Sequence, residues 1–285
     1  MISGRTAVYG IFGHPVEHTF SPGMHNAAFG ALGLDACYVP FSVPPEQLEA
    51  AVRAIVPLGL KGLNVTVPHK EKIIPFLDGL SEDAKLIGAV NTIEVHSGRL
   101  IGHNTDGRGF LRSLRMETGF RPKGKRVLII GSGGAARAVS FCLALAGAAA
   151  IGLHDADGAK AARLAGDLGR TTGTAAEAVP AADLDERARE AHCIINATPL
   201  GLKQGDPLPL AKQSIRNGHL VCDLVYNPPV TGLLRAARSA GAATLPGIGM
   251  LLYQGVIAFE VWTGRKAPVE VMRRALVRQV RAREK

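Results

Sequence analysis

The amino-acid sequence predicts an α/β chain of two domains, each built on a mostly parallel sheet. Short apolar runs of strand character alternate with stretches of helical periodicity along nearly the whole length, the pattern expected of linked β-α-β units. One of these runs, 126–130, passes straight into Gly131-Ser132-Gly133-Gly134-Ala135-Ala136 and an alanine-rich helix. The chain has 285 residues, long for one core and comfortable for two domains of ordinary size.

In the first half, residues 7–13 form an apolar run ending in glycine, followed by a polar loop over 14–21. Ser21-Pro22 reads as N-cap and first helical residue of a helix carrying Met24, Ala27, Ala28 and Ala31. Residues 38–41 give a second strand. A helix over 45 to about 56 then places Leu48, Ala51, Val52 and Ile55 at helical spacing. A third strand within 61–70 stops at Pro68 with polar groups crowded on its end, and the β-α-β-α-β order implies a mostly parallel sheet. A short helix over 81–89 follows, and then a hairpin whose arms, 91–95 and 99–101, flank His96-Ser97-Gly98. Asp106 begins a helix through Met116 that crosses to the second domain, and 119–125 is a basic, proline-containing linker.

The second half opens on the glycine turn, which reads as a phosphate cradle. Gly131 permits the tight turn, Gly133 lets the backbone approach a pyrophosphate, and Ala136 lets the helix pack closely on the strand. The free N–H groups and positive dipole end of that helix favour an anion. A second strand over 149–154 ends in Asp155, at about the distance (~20 residues on) where an acid grips a ribose diol. This strand-turn-helix-strand-acid context is what separates a dinucleotide site from a glycine-tolerant turn that binds nothing. Helices are expected over 158–168 and 183–190, and strands over 193–196 and 220–225. In a doubly wound, Rossmann-type sheet the carboxyl ends of the strands face the ligand. The expected cofactor residues are therefore Gly131, Ser132, Gly133, Gly134, Ala135, Asp155, Thr198, Leu224 and Gly247. The turn 247–250 opens helices that return to the first domain. The expected boundaries are thus 1–105, completed by 250–285, for the substrate domain and 106–249 for the nucleotide domain.

Composition excludes several other classes. With 47% hydrophobic and 20% charged residues the chain is globular rather than disordered. The net charge of +9 suggests nucleic acid at first sight, but eight basic and two acidic residues fall within 265–285. There, Val269, Met272, Leu276 and Val280 share one helical face while arginines cover the rest, without aromatic residues for base stacking. A solvated helix face is expected, and no nucleic-acid partner. The longest apolar stretch, 138–153, falls short of the ~20 residues of a membrane-spanning helix and is interrupted by Gly147 and Gly152. Residues 1–6 carry no basic-then-apolar signal region, so a cytoplasmic location is expected. Cys37, Cys142, Cys193 and Cys222 lack CxxC spacing and read as small buried thiols, with no disulfide and no metal. His69, His103 and His154 adjoin candidate site residues but lack metal-ligand spacing, so supporting or exposed roles are expected.

Outside the glycine turn, polar residues cluster as Thr19/Ser21, Asn64/Thr66/Lys70, Asn91 and Asn104/Asp106. Hydroxyls, amides, one amine and one carboxylate suit a ligand dense in hydroxyl groups. Asn-Val-Thr-Val-Pro-His-Lys at 64–70, Gly-Ala-Val-Asn-Thr at 88–92 and Asn-Thr-Asp-Gly at 104–107 closely resemble the shikimate dehydrogenase family. So do Gly-Ser-Gly-Gly-Ala at 131–135, Asn-Ala-Thr-Pro at 196–199 and Gly-Ile-Gly-Met at 247–250, in the same order along the chain.

The resemblance implies that Lys70 and Asp106 form the catalytic pair and that Thr19, Ser21, Asn64, Thr66, Asn91, Tyr226 and Gln254 surround a cyclohexene carboxylate. It also implies reversible hydride transfer between shikimate and 3-dehydroshikimate, a step of aromatic amino acid biosynthesis, with NAD(P)(H) as cofactor. Thr19 stands where the family usually has serine, and its extra methyl narrows the carboxylate end. A Lys–Asp surface ion pair would leave the surrounding amides and hydroxyls unexplained. NADP-dependent members resemble one another in an Asn-Arg-Thr pattern after the second nucleotide-binding strand; here Asp155-Ala156-Asp157 stands instead. The missing arginine and the two carboxylates lead to an expected preference for NAD, partly offset by Lys160, which matches a second basic position. Quinate then becomes an alternative substrate, as in NAD-linked quinate/shikimate dehydrogenases. The chain is expected to act as a monomer or homodimer. A catalytically silent nucleotide-sensing protein is the alternative of another class, disfavoured by the intact Lys70 and Asp106.

Overall fold

The structure is a computed structural model that describes residues 2–283. The chain divides into two compact units, Met1–Thr105 with Leu252–Lys285, and Asp106–Leu251. In the first unit the elements run β1 (Ala7–Gly13), α1 (Ser21–Ala31), β2 (Ala36–Ser42), α2 (Leu48–Ala54), β3 (Gly62–Val65), β4 (Gly79–Leu80), α3 (Glu82–Ile87), β5 (Thr92–His96) and β6 (Arg99–His103). Their sheet has the order β2-β1-β3-β5-β6-β4. Helical crossovers make β1 parallel to both β2 and β3, whereas the hairpin makes β5 antiparallel to β6 and to β3. The hairpin closes on Ser97 and Gly98, both at positive φ (51° and 76°), the conformation that matches the twist of paired strands. Leu48, Val52, Ile55, Leu63, Val65 and Ile93 build the core beneath α2.

Ser21 is not the N-cap of α1, as the sequence pattern suggested. Phe20 holds that position without a side-chain cap, and Ser21 is already helical. The hydroxyl that serves the helix end is that of Thr19, which accepts the Ser21 N–H at 3.2 Å.

The second unit runs α4 (Asp106–Thr118), β7 (Arg126–Ile130), α5 (Gly134–Leu145), β8 (Ala150–His154), α6 (Gly158–Thr172), β9 (Ala175–Ala178), α7 (Leu184–Glu190), β10 (Cys193–Asn196), β11 (Leu220–Asp223), α8 (Gly232–Ser239) and β12 (Ala243–Pro246). All its strands pair in parallel, in the order β12-β11-β10-β7-β8-β9. Counted from β7, this is the 3-2-1-4-5-6 order of a doubly wound dinucleotide fold, reversing between β7 and β10. Strand β9 escaped the sequence pattern because it is alanine-rich, largely exposed and paired on one side only. Helix α6 outruns the expected 158–168 because its apolar face ends at Leu168 while the backbone continues to Gly173, which caps it at φ 71°.

Helix α9 (Ile248–Thr263) begins in the second unit and carries the chain back to the first, where α10 (Val269–Arg283) packs along α1. Met272, Leu276 and Val280 of α10 are buried, which accounts for the one-sided pattern of its arginines. From α9, Trp262 enters the space left by Gly62, where a Cβ would lie 2.4 Å from the indole, and donates its Nε1–H to Ile93 O at 2.9 Å. Tyr9, Phe29, Tyr38 and Phe259 complete an aromatic layer over this face of the sheet. Among the described residues, no helix is long and apolar enough to cross a membrane.

His25 is enclosed in that layer, stacked on Tyr38 at 4.5 Å and 12°, and neither ring nitrogen has a hydrogen-bond partner. Complete burial lowers its pKa from 6.5 to about 3. The unfolded chain therefore takes up a proton near pH 6.5 that the folded chain refuses until about pH 3, so stability falls as pH drops through that window. His25→Phe should remove about 2 kcal/mol of the stability loss between pH 7.5 and 5. Urea unfolding of both proteins at the two pH values checks this; equal losses would show that His25 is protonated when folded.

Candidate active site

In the first unit, Asn64 and Asn91 are the centre of a buried polar cluster. Asn64 lies on β3 beside β5, and its Nδ2 donates to Asn91 O and to Thr92 Oγ1, each at 3.1 Å, while its Oδ1 accepts from the Tyr38 hydroxyl at 2.8 Å. A carbonyl cannot donate, so contact with Asn91 O fixes which end of the amide is NH2. Asn91 Oδ1 accepts the Thr105 N–H at 2.8 Å and its Nδ2 donates to Thr105 Oγ1 at 2.9 Å. Nearby, Asn104 Nδ2 donates to Ala89 O at 3.0 Å. Residues 88–92 and 104–105, far apart in sequence, are thus tied into one corner directly before Asp106.

Thr66 lies just past the end of β3, and Gly13 is glycine because a Cβ there would lie 2.4 Å from the Thr66 methyl. The turn beyond is held by His69, whose buried ring donates from Nε2 to Val43 O at 2.7 Å; burial, countered in part by that bond, lowers its pKa. Its neighbour Lys70 is half-buried, and the Lys70 carbonyl accepts the Val90 N–H at 2.8 Å. Gln254, on α9, is buried in the same unit.

The second unit begins with Asp106, buried at the start of α4. Gly107 lets α4 approach α5, since a Cβ there would meet Ala138 O at 2.4 Å and Cys142 Sγ at 2.3 Å. In the glycine turn, Gly131 has φ 108° and a Cβ would lie 2.8 Å from the Ala197 backbone, so no other residue fits without displacement. A Cβ on Gly133 would meet nothing within 4 Å, and α5 has no side-chain cap on its first N–H groups. The Ser132 hydroxyl oxygen is buried without a partner. At the neighbouring strand ends, Asn196 Nδ2 donates to Asp223 Oδ1 at 2.9 Å and Asn196 Oδ1 accepts from the Thr198 hydroxyl at 2.6 Å. Gly247 admits the Leu224 carbonyl, 2.4 Å from where its Cβ would be. Tyr226 is half-buried in the loop after β11.

The expected grip of Asp155 on a ribose takes a different form here. Asp155 Oδ2 accepts the Ser132 N–H at 2.7 Å and its Oδ1 accepts the Asp157 N–H at 2.9 Å, so the carboxylate braces the glycine turn. Asp157 is the N-cap of α6, accepting from Ala159 and Lys160 N–H, and these bonds hold its pKa below the usual carboxylate value. Lys160 is exposed, with Nζ 3.6 Å from Asp157.

Within the first unit Thr19 is linked to Ser21 and Asn64 to Asn91, whereas Lys70 and Asp106 fall in different units. Sequence reasoning missed Tyr38, Thr92 and Thr105, which bond to Asn64 and Asn91. The only hint was that Thr92 and Thr105 lie inside the motifs at 88–92 and 104–107. His103 pairs with Glu94 at 2.9 Å and His154 Nδ1 lies 2.9 Å from Val179 O. Of the four cysteines, Cys37 is half-buried rather than buried. Among the described residues there is no group of three or more His, Cys, Asp or Glu able to hold a metal ion.

Comparison with known proteins places this geometry. The model described as the shikimate dehydrogenase substrate binding domain matches residues 11–93, and that of the shikimate 5'-dehydrogenase C-terminal domain matches 247–277. A shikimate dehydrogenase (NADP(+)) of Desulforamulus reducens is 50% identical over 283 residues, 98% of this chain and 97% of the relative. A crystal structure of a shikimate dehydrogenase in complex with NADP+ superposes with TM-score 0.92 at 42% identity, covering 98% of each chain. That of Listeria monocytogenes shikimate 5-dehydrogenase, in complex with shikimate and NAD, gives 0.90 at 37% identity, covering 96% of this chain and 98% of the other. Sharing its motifs, its two-unit fold and half its residues with such relatives, the chain belongs to the shikimate dehydrogenase family.

Proposed function

We propose that this chain catalyses reversible hydride transfer between shikimate and 3-dehydroshikimate, with NADP(H) as the cofactor. The observation that carries the substrate is the buried cluster of amides and hydroxyls around Asn64 and Asn91, the chemistry a polyhydroxylated ring needs for orientation. The cofactor side rests on the glycine turn. An obligatory glycine at 131, open space over Gly133 and uncapped N–H groups at the start of α5 suit a pyrophosphate, and Gly131, Ser132, Gly133, Gly134 and Ala135 would hold it. Thr198, Leu224 and Gly247 would line the nicotinamide end. A nicotinamide held there would supply hydride acceptance and return for the substrate's carbinol/ketone carbon.

The protein's own contribution is orientation and proton transfer. Lys70 takes the hydroxyl proton as the carbinol is oxidised and returns it in the reverse direction, and Asp106 orients its amine. Thr19 and Ser21 hold the substrate carboxylate, with Thr66, Asn91, Tyr226 and Gln254 around the ring. Both Asn64 N–H bonds are committed to Asn91 O and Thr92, so Asn64 offers the substrate only an acceptor, its Oδ1.

Cofactor choice departs from the charge-based expectation of NAD. That preference gains no support from the D. reducens relative, whose name carries NADP(+), although the Listeria structure contains NAD. The local bonds supply a physical reason for NADP(H). Asp155 is turned into the glycine turn and Asp157 into a helix cap, each offset by backbone N–H groups. Repulsion of a 2′-phosphate is therefore weakened, and the exposed Lys160–Asp157 pair is loose enough to release the ammonium toward it.

Two outcomes follow. Lys70→Ala and Asp106→Asn should each lower kcat for shikimate oxidation by at least ~100-fold, the lower end of what a positioned acid–base group supplies, with smaller changes in substrate binding. Near-normal kcat in either variant would remove that residue from the role. In the wild type, kcat/KM should be higher with NADP+ than with NAD+, and Lys160→Ala should narrow the ratio; a wild-type preference for NAD+ would restore the charge-based expectation.

A further inference from the structure

We infer that Tyr38 is a positioning residue for the substrate, its hydroxyl fixing the amide of Asn64 on β3. The inference rests on the proposed function for the role of Asn64, and assigns to Tyr38 the direction in which that amide meets the substrate. Tyr38 sits on the edge strand β2, with Tyr38 beside Tyr9 and Ile11 beside Asn64 in the sheet register. To reach Asn64 its ring must cross the intervening strand β1, and it does so with 1% of its surface exposed. At the far side its hydroxyl donates to Asn64 Oδ1 at 2.8 Å.

Every other part of the residue is fixed independently. The Asn26 amide clamps its backbone, donating to Tyr38 O at 2.9 Å and accepting Tyr38 N–H at 2.8 Å, which satisfies the edge-strand groups that no neighbouring strand pairs. The ring is stacked on His25 and flanked by Trp262 at 6.1 Å. Packing and strand pairing would be served equally well by phenylalanine. The hydroxyl is what distinguishes tyrosine, and its bond goes to a residue of the candidate substrate site. With one lone pair of Asn64 Oδ1 occupied by Tyr38 and both Asn64 N–H bonds committed, the direction in which Asn64 can accept a further hydrogen bond is set.

Tyr38→Phe tests this, because it deletes the hydroxyl while keeping the stack and the backbone clamp. The KM for shikimate should rise about tenfold, the effect of losing one buried hydrogen bond and stranding its partner, with kcat and the cofactor KM within about twofold of wild type. Since Tyr38 acts through its bond to Asn64, Tyr38→Phe should raise KM much less in an Asn64→Ala background. An unchanged shikimate KM in Tyr38→Phe, with only a lower Tm, would overturn the positioning role, as would an equal rise in both backgrounds. If Ser21→Ala raises the shikimate KM while Tyr38→Phe does not, the proposed function stands and the Tyr38 inference fails. A wild type inert toward shikimate would take both down.

Discussion

A primary carboxamide buried inside a sheet has two donors and an acceptor to satisfy, and leaving any of them without a partner costs about 1–3 kcal/mol. Asn64 meets that demand with three groups from two places in the chain: the Tyr38 hydroxyl on the edge strand, and the adjacent Asn91 carbonyl and Thr92 hydroxyl. Asn91 in turn holds the Thr105 amide, so the exit from the first unit is bonded back to its interior. The candidate substrate groups are therefore held by bonds that the fold itself requires. A change at Asn64 disturbs sheet and site together, whereas the hydroxyl of Tyr38 is the point where the two demands separate.

The same double use appears around the cofactor turn. Asp155 and Asp157 look like a pair of charges aimed at a ligand, yet one braces Ser132 and the other caps α6. A carboxylate that accepts backbone N–H bonds keeps its charge, but its field is partly balanced by those dipoles, and its ability to repel a distant phosphate shrinks. Counting acids near a motif overlooks this, because the sequence does not say which way a carboxylate turns.

Much of the architecture was legible for physical reasons. The run 126–136 carries a buried strand, a glycine with nowhere for a side chain, and a close-packed helix start. Ser97-Gly98 announces a hairpin, and the arginine-covered face of 269–283 announces the helix opposite. Strand β9 was illegible because alanines on a sheet edge carry no period. Ser21 was misassigned as a cap because serine before proline fits that role locally, while in the structure Phe20 takes the cap position and Ser21 is already inside the helix. Tyr38, Thr92 and Thr105 were passed over for another reason. Their roles arise from register across strands, and an aromatic residue in an apolar run reads as core until the position of its hydroxyl is known.

Family membership, the two-unit fold and the amide-lined cluster converge on one reaction, and its reversibility offers the most direct test. Purified wild-type protein should form reduced nicotinamide cofactor when given shikimate and NADP+, and consume NADPH when given 3-dehydroshikimate. Absence of turnover in both directions, with NAD(H) failing as well, would contradict the assignment.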